Sequence, residues 1–357
     1  MEPSNSELSS KKNIIVQRFT FFIEVLIVFF VIFLFLLVPN VLIWFLINEN
    51  SIYFGPIYYL TRALVIFVAV LLALFLVNIL FGFRIGSESI EEKVNPASEF
   101  LKLYSMPKNQ FKDQLLNGFL ILFIVFIPLD FLIYFIFPEM LEYSGVVISS
   151  QKTDSYLLAN YSIFLLSVII IQISVSIFEE TLTRGYLTKR GCDYFHKMSA
   201  VIIPSLYFGF MHFLYYLNPL SKNYPIWWPF IWFLNTLFVG ILLSIFILKK
   251  KSIFPVIFAH AANNIISAHA IWCYLHGISF TIVTIYMYLP LLIVSALLFA
   301  LQFKKIKRAL SNGLKFLKNY FKIDKQHTER TKGDVYFRIF IDILISILIL
   351  IVGLFLV

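Results

Sequence analysis

Long apolar runs recur along this 357-residue chain, near residues 19–47, 56–83, 117–137, 156–184, 199–217, 225–248, 252–275, 280–302 and 336–357. About 20 such residues in a helix cover the roughly 30 Å of hydrocarbon in a bilayer. No other feature constrains the fold as much, because a backbone in lipid must satisfy its own hydrogen bonds. A helix does so within one segment. A barrel needs polarity that alternates along each strand, and these runs do not alternate. The expected fold is therefore all-α, a polytopic transmembrane helical bundle of about nine spans. Composition agrees: 60% of residues are hydrophobic and 14% charged, against about 45–50% and 25% in soluble domains. The first run, broken by Pro39-Asn40, is too long for a cleavable leader and reads as a retained helix.

The net charge of +9 is spread in a way that sets topology. With nine spans, 25 of the 29 Lys and Arg residues fall in the terminal segment and loops of one side. Only Lys152 and Lys222 fall on the other, while Arg62 and Arg184 lie within spans. Positive loops stay cytoplasmic, so the N-terminus is expected inside and the C-terminus outside. A charge distributed over every loop of one face is a topology signal, and nucleic acid is excluded as a partner. The densest stretch, Lys304–Lys325, carries Ile306, Leu310, Leu314, Leu317 and Phe321 at helical spacing. It reads either as a basic amphipathic helix on anionic lipid or as a solvated juxtamembrane helix. Cys192 and Cys273 fall on different spans and form no CxxC metal signature.

Ionisable residues at membrane depth cost roughly 2.5–3.5 kcal/mol or more on insertion scales, so each needs a reason. Arg62 and Asp130 are expected to pair across spans two and three. Arg338 and Asp342 have the i,i+4 spacing of a helix pair, and Glu24 lies within reach of Arg18. Pro204, Pro229 and Pro255 lie near span starts, where proline is tolerated. The end of span four is different: Phe178-Glu179-Glu180-Thr181-Leu182-Thr183-Arg184 puts two carboxylates directly after an apolar helix. Glu180 and Arg184 share a face, which lets Glu180 be buried. Glu179 points about 100° away, without a local cation, and is free to face a cavity.

Two histidines join them. Phe208-Gly209-Phe210-Met211-His212 lies on span five, and Phe258-Ala259-His260-Ala261-Ala262-Asn263-Asn264 on span seven. At 1.5 Å per residue both histidines lie roughly 12–20 Å deep, in the same leaflet as Glu179, with Asn264 one turn beyond His260. His196 and His327 are placed in cytoplasmic loops, His269 and His276 toward the outer end of span seven, and of these only His269 is a candidate to line a cavity.

The motifs EExxxR (Glu179, Glu180, Arg184), FxxxH (Phe208, His212) and HxxxN (His260, Asn264), in this order and each on its own span, resemble the CPBP family. That family groups type II CAAX prenyl endopeptidases with bacteriocin-processing and self-immunity proteins of the Abi type. The resemblance covers about residues 156–300. It implies an intramembrane peptidase with a water-filled cavity, acting on a membrane-associated peptide or protein. Carried over, Glu179 would be the general base and activate water with His212. His260 and Asn264 would stabilise the oxyanion, and Glu180, Arg184 and Phe208 would support the site. A carboxylate in a partly dry pocket is a usable base near neutral pH, and fixed donors stabilise an oxyanion by on the order of 3 kcal/mol each.

Glu179, His212 and His260 also resemble a catalytic zinc set. With no HExxH and three separate helices, the metal-free mechanism is favoured, and zinc stays open as a cofactor. Two other readings remain: a non-catalytic immunity or scaffold protein that retains the motifs, or a proton-coupled transporter. No paired broken helices in two halves support the last. The expected organisation is a three-span N-terminal extension (1–155), a five-span core (156–302), a basic amphipathic cytoplasmic segment (303–335) and a final span (336–357). Short cytoplasmic loops without long extensions fit a bacterial cytoplasmic membrane.

Overall fold

The computed structural model describes residues 5–81, 95–323 and 329–356. Lys325 and His327, placed above on the cytoplasmic side, lie outside the described residues, as do Arg84 and Lys93 among the 25 basic residues of that side. Fourteen helices follow in order among those described: α1 Asn5–Leu46, α2 Phe54–Phe81, α3 Pro96–Leu103, α4 Phe111–Ile121, α5 Ile127–Ile136, α6 Glu139–Ser149, α7 Tyr161–Glu180, α8 Lys189–Tyr194, α9 Lys197–Met211, α10 Trp228–Lys250, α11 Phe254–Leu275, α12 Phe280–Val283, α13 Leu289–Tyr320 and α14 Lys332–Leu356. No strand occurs among the described residues. The fold is the all-α polytopic bundle that the apolar runs require.

Eight helical stretches are long and apolar enough to cross a membrane, one fewer than the nine runs. The run at 252–275 is helical as expected, but α11 is not in that set. His260, Asn263, Asn264, Ser267 and His269 lower its apolar character, and packing makes this tolerable: α11 lies against α4, α6 and α7. Polar side chains at membrane depth face protein or a cavity. Lys251, in the left-handed region at φ 53°, ends α10. The chain then turns into α11 within three residues, tied by Ile253 N–H donating to the Leu103 carbonyl at 3.0 Å.

On one flank α1 packs against α2 and α14, and α14 against α9. Phe21, Phe29, Ile66, Val70, Tyr207 and Ile345 are buried between them. Helix α10 packs along α9, and α2 and α11 both along α7. The three helices that carry the sequence motifs, α7, α9 and α11, are thereby walled by helices from outside the motif region.

Several expectations about charges and prolines are revised. Arg18 pairs with Asp342 at 3.0 Å and donates to Ser199, rather than holding Glu24. Glu24 receives Arg190 at 2.8 Å and the Tyr194 hydroxyl. Arg338 bonds Glu329 and the Tyr320 carbonyl, while Asp342 also accepts from Tyr320 Oη at 3.0 Å. Spacing along one helix suggested local pairs; burial between helices gives each group a partner from another element. Arg62 and Asp130 likewise take other partners: Arg62 lies over Phe178 and Tyr58, and Asp130 accepts from Tyr288 Oη at 2.5 Å. Pro39 does not break α1, which runs through it, and Pro204 is interior to α9. Pro229 and Pro255 do sit in first helical turns. The basic stretch from Lys304 is not a separate element, because α13 continues unbroken from Leu289 to Tyr320.

Candidate active site

Helix α7 delivers its two carboxylates at its last two residues, Glu179 and Glu180, where the chain passes into a widened π-helical segment, Thr181–Thr188. Such widened turns recur at functional sites. Here two hydroxyls stabilise it. Thr183 Oγ1 donates to the Glu179 carbonyl at 2.5 Å, and Thr188 Oγ1 to the Thr183 carbonyl at 2.9 Å. Tyr104 on the loop after α3 donates to Thr181 Oγ1 at 2.6 Å and pins the same turn from outside.

The two adjacent carboxylates have different surroundings. The Glu180 side chain is 0% exposed and that of Glu179 34%. Glu180 Oε1 receives Arg184 Nη1 at 3.0 Å, as the i,i+4 spacing predicts. The same oxygen meets His260 Nδ1 at 2.7 Å. Arg184 is as deeply buried as Glu180, donates also to Thr183 Oγ1 at 2.8 Å, and lies over the Phe208 ring at 4.3 Å. Close packing keeps it there. A Cβ on Gly240 of α10 would stand 3.3 Å from Arg184 Nη2 and 3.1 Å from Ser205 Cβ, so glycine at 240 lets α10 approach.

His260 is held on four sides. Glu180 is at Nδ1, and Glu179 Oε2 is 3.6 Å from Nε2. The Phe126 ring is nearly parallel to the imidazole, 6.0 Å away at 16°, and Phe208 stands edge-on at 6.2 Å and 87°. His212 caps the C-terminal end of α9, where its Nδ1 bonds the Phe208 carbonyl at 2.9 Å. That bond leaves Nε2 for the cavity. Asn263 and Asn264 follow His260 on α11.

One cavity of about 950 Å³ is lined by Glu179, Phe208, His212, His260 and Asn264 together. Glu180 and Arg184 are not in its wall and stand behind it. The seven motif residues thus come together, four polar groups on the cavity and two charged ones in support, with Phe208 between. No group of three or more His, Cys, Asp or Glu side chains is arranged to hold a metal ion among the described residues. His269 packs among Tyr161, Phe164 and Trp272 and does not line this cavity. His196 caps α9, and His276 stacks on Trp272.

Sequence reading missed four contributions. The Glu180–His260 contact joins residues 80 positions apart, and no spacing rule links them. Phe126 is one phenylalanine within an apolar run and carries no signal. Thr183 was legible, since it lies four residues after Glu179 in the motif segment. The opposite cavity wall, with Tyr58, Tyr59 and Arg62 of α2 and Asp130 of α5, comes from helices outside the motifs.

Residues 161–266 match the family model described as type II CAAX prenyl endopeptidase Rce1-like. The matched segment begins with α7, ends within α11 and contains all seven motif residues. It agrees with the resemblance to the CPBP family and supports the class of CAAX-type intramembrane endopeptidases. No curated protein and no solved structure matches the chain.

Proposed function

We propose that this membrane protein hydrolyses a peptide bond inside its cavity with water activated by Glu179 and His212. The observation that carries this reading is the contrast at the end of α7. Glu180 is fully buried and paired, whereas Glu179 opens on a cavity shared with His212, His260 and Asn264. A general base must reach water and substrate, and of the two carboxylates only Glu179 does.

In the proposed reaction, Glu179 takes a proton from a cavity water that also bonds His212. The hydroxide adds to the scissile carbonyl carbon. The carbonyl oxygen becomes an oxyanion, held by Asn264 Nδ2–H and by His260. With Nδ1 against the Glu180 carboxylate, His260 is turned with Nε2 toward the cavity. Collapse of the tetrahedral species breaks the C–N bond, and the proton on Glu179 passes to the leaving amine. Arg184 keeps Glu180 in place, and through it the imidazole.

The substrate is a membrane-associated peptide or protein. The 25-to-2 distribution of basic residues supports a cytoplasmic N-terminus, short loops without long extensions fit a bacterial cytoplasmic membrane, and anionic lipid lies against the basic end of α13. Purified parent, Glu179→Ala and His212→Ala proteins should be compared on a membrane-anchored reporter peptide. Loss of cleavage in both variants is expected, and unchanged cleavage in either removes the assignment. Activity that persists in strong chelator, in protein free of metal by elemental analysis, is the expected result for the metal-free mechanism; loss on chelation restored by zinc would replace it.

A further inference from the structure

The cavity beside Glu179 is closed at one end and open at the other. The closed end is the one next to the basic loops that carry Lys189, Arg190 and Lys249–Lys251. Every residue from Thr181 to Thr188 is buried there. Phe100 and Leu103 of α3 and Ile253 of the α10–α11 turn are buried as well, and Ile253 N–H donates to the Leu103 carbonyl at 3.0 Å. A Cβ on Gly185 would stand 3.3 Å from both Ile253 Cδ1 and Phe100 Cε2, so the widened turn lies in contact with this cover. Helices α9 and α11 both start at this end, yet the first of their residues on the cavity wall are Tyr207 and His260.

The opposite end opens between two loops. Its wall includes the exposed Gln151, Leu217 and Pro219. Asn218 Nδ2 donates to Ser150 Oγ at 2.9 Å and ties the two loops at this rim. Polar groups continue inward. Tyr59 donates to Asp154 at 3.0 Å and Gln172 Nε2 to Tyr156 Oη at 3.0 Å, and all four residues line the cavity. Gln172 precedes Glu179 on α7 by roughly 10 Å of helix. Polar side chains at membrane depth face protein or a water-filled cavity, and a wall with such groups from its rim to Glu179 can take up water and a peptide backbone.

Lys152 and Lys222 are the basic residues expected on the open side, against 25 on the closed side, and positive loops stay cytoplasmic. We infer that the cavity is entered from the extracytoplasmic face, and that its substrate is a peptide segment presented on that face by a chain anchored in the membrane. The second part rests on the peptidase reading. Glu179 stands near the floor of a blind cavity, so the segment, the water it reacts with and the product all pass the rim between Gln151 and Pro219.

The first test labels the full-length protein, with Cys192 and Cys273 replaced by alanine, using a membrane-impermeant maleimide. Single cysteines are placed on the cavity wall by Gln172→Cys and Asn263→Cys, and at the exposed closed end by Lys250→Cys. Spheroplasts offer the outer face of the membrane to the reagent and sealed inverted vesicles the inner face. Both wall cysteines should be labelled in spheroplasts and not in inverted vesicles, and Lys250→Cys the reverse. Labelling of the wall cysteines from the inner face, or from neither face when the denatured protein reacts, overturns the inference. Should one wall variant fail to fold, the other decides. The second test uses the protein with its own cysteines and a randomised peptide library tethered to a single-span anchor in either orientation, with released peptides identified by mass spectrometry. Release from the outward library alone is expected, and Glu179→Gln should abolish it. Release from the inward library, alone or beside the outward one, overturns the inference. Release from neither removes the peptidase reading and leaves the outer mouth standing, because labelling is read without cleavage.

Discussion

Two regions of this protein bury charge between helices, and they do so differently. Between α1, α9 and α14, Arg18 meets Asp342 at 3.0 Å, with side chains 2% and 0% exposed, and Ser199 and Tyr320 complete their bonding. At the end of α7 only half of the charge is treated this way. Glu180 is closed off between Arg184 and His260, but Glu179 is left facing the cavity with an imidazole nitrogen 3.6 Å away. A matched buried charge holds helices together and is chemically quiet. A partly matched charge beside a cavity is available for reaction. The same residue types thus serve structure or chemistry according to how many partners surround them.

The largest expected effect tests the reactive half. Glu179→Gln keeps the shape and removes the proposed base, so cleavage of a membrane-anchored reporter should fall by about 10²–10⁴-fold with the thermal unfolding midpoint nearly unchanged. A comparable free energy but the opposite readout is expected at the quiet region. Asp342→Ala leaves Arg18 buried without its carboxylate and should destabilise by about 3–5 kcal/mol, seen in detergent unfolding curves. The double change Arg18→Met/Asp342→Leu should recover most of that loss. If Asp342→Ala instead stopped cleavage while the protein stayed fully folded, the division between quiet and reactive charge would fail.

Smaller effects sharpen the comparison. Asn264→Ala removes the proposed oxyanion donor from the cavity wall and should lower the rate about a hundredfold, with little change in stability. Phe126→Leu removes the ring parallel to His260 and should cost no more than about tenfold in rate, given the roughly 0.5–1.5 kcal/mol of an aromatic pair. The smallest effect is at the surface. Lys102 at 2.6 Å, then Lys189 at 3.3 Å, hold the Glu99 carboxyl below the usual carboxylate range. A depressed acid stabilises the fold above its unfolded-state pKa and loses that contribution as pH falls through the folded value. Glu99→Gln should therefore cost at most about 0.5 kcal/mol at neutral pH, with no difference from the parent near pH 3.

How much was legible depended on whether the interaction runs along one helix or between helices. Glu180 and Arg184 pair as their spacing requires, because i and i+4 are neighbours on any helix. The same rule failed for Arg338 and Asp342, which have that spacing but take partners elsewhere, Arg338 from Glu329 outside the helices and Asp342 from Arg18 of α1. Glu24 with Arg18 failed for the same reason, while Arg62 with Asp130, expected across two helices, failed because similar depth does not set which faces meet. The span at 252–275 was expected from its apolar residues, yet its polar stripe belongs to a helix wrapped by protein, and apolar character alone does not mark it.

The sequence by itself determined that this chain is a bundle of membrane helices. Apolar length and the cost of an unpaired backbone in lipid leave no other fold. It also determined which seven residues to watch, because three motifs in order are visible without any contact. Only the tertiary structure decided that the buried Glu180 meets His260, that Phe126 stands parallel to that histidine, and that Arg62 of a distant helix shares the cavity. Those facts depend on the rotation and packing of helices about one another, which side-chain fit among many residues sets and no local pattern encodes.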